Sequence, residues 1–72
     1  MNTVYVPVEF KPDTQEWVPA KVNARRRVSA FDTRGRAFAQ LKEYLRTARR
    51  HGDTATYGVA EYVLSNIEVS KA

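Results

Sequence analysis

The chain has 72 residues, no cysteine, one histidine and a formal net charge of +4, with 43% hydrophobic and 11% aromatic residues. That length allows one small domain that buries only about 60% of its unfolded surface, with neither a disulfide nor a thiolate metal site to brace it. A lone His51 leaves any metal dependent on carboxylates, so no metal or cofactor is expected; no apolar run nears the roughly 20 residues of a membrane span, and the apolar content argues against wholesale disorder.

Residues 3–10, T-V-Y-V-P-V-E-F, alternate with period two. Val4, Val6, Val8 and Phe10 share one face and Tyr5, Pro7 and Glu9 the other, which predicts a half-buried strand. Pro7 cannot donate to a ladder, so the strand is expected at a sheet edge, or paired on one side at that point. Lys11-Pro12-Asp13-Thr14 supplies turn chemistry, and residues 17–23 read as the returning strand, with Val18, Ala20 and Val22 on one face. Pro19 again argues for an edge or a bulge. Residues 24–31, A-R-R-R-V-S-A-F, fit either a continued strand or a loop carrying three arginines.

The clearest periodicity lies over 33–50 and predicts a helix. Asp32 or Thr33 offers the N-cap, and Tyr44, Ala37, Ala48, Leu41, Leu45 and Phe38 fall on an arc of about 120°. His51-Gly52 ends the segment as a glycine stop. Residues 60–69 then predict a strand, with a short helix over 54–64 as its competitor. The expected fold is α+β: one small domain over 1–72, a β-hairpin followed by one amphipathic helix and a C-terminal strand (ββαβ), or with the C-terminal segment helical. The segment 23–31 is expected to be able to stay mobile until bound.

Charge is distributed unevenly along this frame. Ten of the twelve basic residues lie between Lys21 and Arg50, with only Asp32 and Glu43 among them; that block carries +8 and each flank −2. Eight of the twelve are arginine, whose guanidinium suits bidentate phosphate contact, so the block points to nucleic acid. Arg46, Arg49 and Arg50 in the last helical turns are favoured by the helix dipole. Arg34 and Arg36 in the first turn are disfavoured by about 0.3–1 kcal/mol each. With Arg25, Arg26 and Arg27 they are the candidate phosphate contacts, and all five are expected around the N-terminal entrance of the helix.

Catalysis is not indicated. Asp13, Asp32 and Asp53 are expected at turns and caps, no two glutamates are spaced for acid–base work, and no nucleophile, phosphate-loop or metal-helix motif occurs. Trp17, Tyr5, Tyr57 and Tyr62 are capable of stacking on bases, but Trp17 is expected to be a lid on the core. His51 is read as a partner of the helix C-terminus. The pattern is phosphate binding without a base reader. It suits a protein that docks on a nucleic-acid machine, using its edge strand and apolar ends for the protein contact; an autonomous nucleic-acid-binding domain and an inhibitor of an acidic protein surface are the alternatives.

The size, the arginine-rich centre and the opening M-N-T-V-Y-V-P-V-E-F resemble the small RNA polymerase-binding transcription regulators of Xanthomonas-type bacteriophages. The resemblance implies docking on the β′ and β subunits of bacterial RNA polymerase, inhibition of host initiation, and antitermination at intrinsic terminators, with the elongation factor NusA as an accessory. It makes Val4, Tyr5, Val6 and Val8 candidates for the polymerase contact and sets the arginines near exiting nucleic acid. It implies a monomer in the cytoplasm of a bacterial host, with no membrane partner. Small phage inhibitors of CRISPR surveillance complexes share this size and layout, and there the function is protein–protein blockade.

Overall fold

The computed structural model describes residues 2–23, 25–65 and 68–71. Strand β1 (Thr3–Lys11) turns through residues 12–15 into β2 (Glu16–Pro19); helix α1 (Arg34–Ala48) follows a loop and runs into a 3-10 turn (Arg49–His51), and β3 (Thr56–Val63) closes the chain order. The three strands form one antiparallel sheet in the order β2-β1-β3. This is the expected ββαβ arrangement, and the competing helix over 54–64 is a strand. β3 starts earlier than the expected 60–69 and ends at Val63, with residues 66 and 67 of that expectation outside the described residues.

Pro7 misleads about the sheet order. β1 is the central strand, not an edge, and it tolerates proline because its two neighbours are staggered. Pro7 lies opposite Val59 of β3, while the β2 ladder stops one residue short, at Val8–Pro19. On that side the Pro7 carbonyl accepts from Ala20 N at 2.9 Å, so the missing N–H falls just where β2 leaves the sheet. The second alternative, pairing on one side at Pro7, therefore describes this strand. β2 is correspondingly shorter than the expected 17–23. After Ala20 the chain leaves the sheet as a loop and, among the described residues, pairs its backbone with it again at Phe31, which exchanges two hydrogen bonds with Tyr5 at 2.8 and 2.9 Å.

Register sorts the side chains. Tyr5, Pro7 and Glu9 share the face of Glu61, Val59 and Tyr57, and the helix lies on that face. Pro7 is fully buried there, next to a core of Ala20, Val22 and Leu41 against which Tyr44, Leu45, Tyr57 and Val59 pack. Ala20 and Val22 reach this core because the chain bends under the helix after β2, where Gln40 Nε2 donates to the Val22 carbonyl at 3.1 Å. Along the helix Ala37 and Leu41 are buried and Tyr44, Leu45 and Ala48 half-buried, whereas Phe38 is 40% exposed at the margin of the expected arc.

The helix ends follow local chemistry. Thr33 is the N-cap, its Oγ1 accepting from Arg36 N at 3.2 Å. At the other end Gly52 takes φ +84°, its N–H donates to the Arg49 carbonyl, and Asp53 N reaches back to the Ala48 carbonyl at 3.0 Å.

Candidate nucleic-acid interface

The three consecutive arginines sit on a loop that Asn23 organises. The Asn23 Oδ1 accepts from Arg25 N at 3.0 Å and from Arg27 N at 2.8 Å, its carbonyl accepts from Arg26 N at 2.9 Å, and its Nδ2 donates to Ser29 Oγ at 2.9 Å. Such side-chain-to-backbone bonds let one asparagine close a turn that no regular element stabilises. Arg26 at the apex takes φ +56°, a left-handed conformation that side chains other than glycine and asparagine enter at a cost. All three arginines are exposed, and none has a carboxylate partner among the described residues. Asn23 was not among the residues singled out from the sequence, although an asparagine two to four residues before a polar loop is a readable turn signal.

The loop also lies in a different place from the one expected. Arg26 lines a hollow of about 520 Å3 with Tyr44, Thr47, Ala48, His51 and Gly52, so it faces the C-terminal end of α1. Arg34 and Arg36 occupy the other end of a 15-residue helix, roughly 18–21 Å from Ala48 along its axis. The five candidate arginines therefore do not cluster at the helix entrance. Arg26 instead shares its hollow with His51, and the neighbouring Arg50 has no acid partner among the described residues.

Arg34 and Arg36 each have an acid of their own. The Arg34 guanidinium lies 3.7 Å from Glu61 Oε1 and 5.2 Å from the centre of the Tyr5 ring, while the Tyr5 hydroxyl donates to the same Glu61 oxygen at 3.0 Å. That hydrogen bond holds the Tyr5 hydroxyl above its ordinary pKa. Arg36 pairs with Asp32, four residues earlier, at 3.3 Å. These acids offset the dipole penalty that made first-turn arginines look anomalous. The pairs are exposed, so each is worth at most about 1 kcal/mol and a phosphate is able to displace the acid. Of the C-terminal group, Arg46 pairs with Glu43 at 3.1 Å, and Arg49 donates to the Asp53 carbonyl at 2.7 Å while lying over the Tyr57 ring.

The residues proposed for a protein partner divide between two faces. Tyr5 points to the helix side. Val4, Val6 and Val8 point away from it, with Phe10, Trp17, Pro19, Gly58, Ala60 and Tyr62. This second face of the sheet carries no charged side chain. Val6 and Val8 are only 6% and 3% exposed, so what the face offers a partner is half-buried Val4 with the larger exposed rings of Trp17 and Tyr62. Trp17 is a half-exposed cover for this face and its buried Val6 and Val8: it packs on Phe10 at 5.3 Å, and its ring lies 3.5 Å from where a Cβ on Gly58 would stand. Because β1 is central, its backbone edges are both occupied and strand addition at Pro7 is not available.

Among the described residues no three histidine or carboxylate side chains come together as a metal site, and no described helix is long and apolar enough to cross a membrane. No protein family, curated protein or solved structure matches the chain.

An asparagine at position 26 separates the two roles of the loop. Asn tolerates the left-handed region, so Arg26→Asn is expected to leave stability within about 0.5 kcal/mol in urea denaturation. It should nevertheless remove one phosphate contact, lowering the salt slope of nucleic-acid binding by about one. A clear loss of stability with unchanged binding would make Arg26 a structural residue.

Proposed function

We propose that the chain is a non-enzymatic transcription regulator of phage type that docks on bacterial RNA polymerase and holds Arg25, Arg26 and Arg27 against the phosphates of nearby nucleic acid, with Arg34 and Arg36 as secondary contacts. The observation that carries this reading is the asparagine-organised arginine loop, exposed and without an acid partner among the described residues, on the opposite side of the sheet from an uncharged face. A merely solubilising run of arginines has no need of an apex residue in a left-handed conformation. The uncharged face supports a protein contact, because a polyanion alone would leave Trp17 and Tyr62 exposed. The polymerase as partner, with contact near its RNA exit and opposition to initiation or to intrinsic termination, follows from the resemblance of the N-terminal segment.

Two measurements test it. Fluorescence anisotropy with short RNA and DNA across a salt series should give a log–log slope that falls by about 2–3 in the Arg25→Ala/Arg26→Ala/Arg27→Ala variant. An unchanged slope would remove the loop from the interface. Affinity capture from a bacterial lysate should recover the β and β′ subunits, and the purified protein should raise read-through of an intrinsic terminator. Recovery of CRISPR effector subunits in their place would turn the reading into protein–protein blockade.

A further inference from the structure

The outer edge of β3 is an eight-residue strand edge with nothing beside it among the described residues. Backbone direction identifies the exposed groups. Tyr5 and Pro7 turn their backbone toward Phe31 and Ala20, so the even-numbered residues of β1 turn theirs toward β3. Their partners Thr56, Gly58, Ala60 and Tyr62 close that ladder. Tyr57, Val59, Glu61 and Val63 direct their N–H and C=O groups outward, with no backbone partner among the described residues. Edges are ordinarily blunted by proline, lysine, a bulge or shortness. The β2 edge has two of these, being four residues long and carrying Pro19, and Phe31 follows it along β1. β3 has only a weak one: its register with β1 is unbroken, and its one charge, Glu61, is paired with Arg34.

The surroundings of that edge specify what would fit. Arg34 reaches Glu61 and Arg49 lies over Tyr57, so one side of α1 overlooks β3, while Gln40 on the opposite side holds the loop at Val22. Arg34, Phe38, Lys42, Leu45 and Arg49 recur at helical spacing along that overlooking side. Above the edge is therefore a basic and apolar ridge, and below it the sheet continues as the uncharged face of Gly58, Ala60 and Tyr62. The geometry points to β3 as the docking edge for an extended segment of a partner protein that alternates acidic and apolar residues, added antiparallel, its acids toward Lys42, Arg34 and Arg49 and its apolar residues extending the uncharged face. A second copy fits less well: pairing β3 with itself about a two-fold axis sets both basic ridges on the same side of the joined sheet. The inference rests on the docking half of the proposed function and not on its nucleic-acid half.

The probe is an octapeptide alternating Val and Glu, titrated into isotope-labelled protein and followed by amide NMR. The amides of Tyr57, Val59, Glu61 and Val63 should shift and gain exchange protection, and the Val/Lys counterpart should bind about tenfold more weakly or worse. Lys42→Glu should narrow that difference. Glu61→Pro removes an outward N–H that β1 does not use, so it should abolish binding with the far-UV circular dichroism intact; Glu61→Ala keeps the N–H and should keep most of the binding. No shift at β3, equal binding of the Val/Glu and Val/Lys peptides, or protection of the outward amides in the free protein together with a dimer in sedimentation would each overturn the inference. RNA titrations report separately at Arg25–Arg27. Polymerase capture that survives Glu61→Pro would also overturn it, whereas no capture by the unmodified protein would sink the docking reading while the peptide titration still reports on the edge.

Discussion

Replacing Leu41 by alanine is expected to lower stability by about 2–3 kcal/mol, enough to leave much of the protein unfolded at moderate urea. A domain of this length holds only roughly 4–10 kcal/mol in total. Leu41 is 4% exposed and belongs to the buried cluster with Ala20 and Val22, so its removal opens a cavity between the helix and the strand-following segment on the helix side. Neighbouring elements have little slack to collapse into that space, because Ala20 is already small and Pro7 is fixed in the ladder with β3. Phe38→Ala provides the contrast. Although larger, Phe38 is 40% exposed, and its loss should cost no more than about 1 kcal/mol. The urea midpoints of the two variants, at unchanged slope, measure the difference. If Phe38→Ala is the more damaging, the helix seats on the sheet with a different face.

Local chemistry explains which parts of this fold are readable from the chain. The helix, its threonine cap and its glycine stop depend on residues within a few positions of one another, and Thr33, Leu41 and Gly52 do what their spacing implies. Sheet order depends on partners far apart. Pro7 is evidence against a ladder bond at one point on one side of a strand; by itself it fits either an edge strand or one paired on one side there, and β1 is the second. The stagger between β2 and β3 that accommodates it is invisible in periodicity. β3 starts before the alternation that suggests 60–69, taking in Thr56-Tyr57-Gly58, and Gly58 is where the Trp17 ring lies on the sheet.

The candidate site divides along the same line. That Arg25–Arg27 lack compensating acids is close to legible, since Asp32 and Glu43 are the only acids within the basic block. The place of those arginines at the C-terminal end of the helix is not, because it depends on the loop running back alongside α1 from Val22. Arg34 shows the complementary error. A dipole argument weighs only the helix it sits on, whereas its partner Glu61 and its ring neighbour Tyr5 come from β3 and β1.

Asp53 carries the second large effect. Beyond the helix stop it turns a single carboxylate into the joint between α1 and β3: Oδ2 accepts from Tyr57 Oη at 2.6 Å and from Tyr44 Oη at 3.4 Å, and Oδ1 accepts from Ala55 N at 2.8 Å. The two rings pack edge to face at 5.7 Å, so the same contact orders both hydroxyls. Asp53→Ala should cost about 2–3 kcal/mol and Asp53→Asn about half of that, since charge-assisted bonds are the stronger ones. The direction of the pH dependence follows. The Tyr57 hydroxyl, more than any other group, holds the Asp53 carboxyl below its ordinary value, with the Ala55 amide next. Its contribution is therefore complete above about pH 4 and disappears as pH falls through the lowered value. Burial first, and the bond to Asp53 second, push the Tyr57 hydroxyl above its ordinary value. That contribution is complete below about pH 10 and disappears as pH rises beyond it. The stability gap between the unmodified protein and Asp53→Asn, read from urea midpoints, should accordingly be widest near neutrality and narrow steadily as pH falls below about 4. A gap that persists undiminished in acid would mean that the protonated carboxyl serves as well as the carboxylate, and that charge is not what strengthens the Asp53 joint.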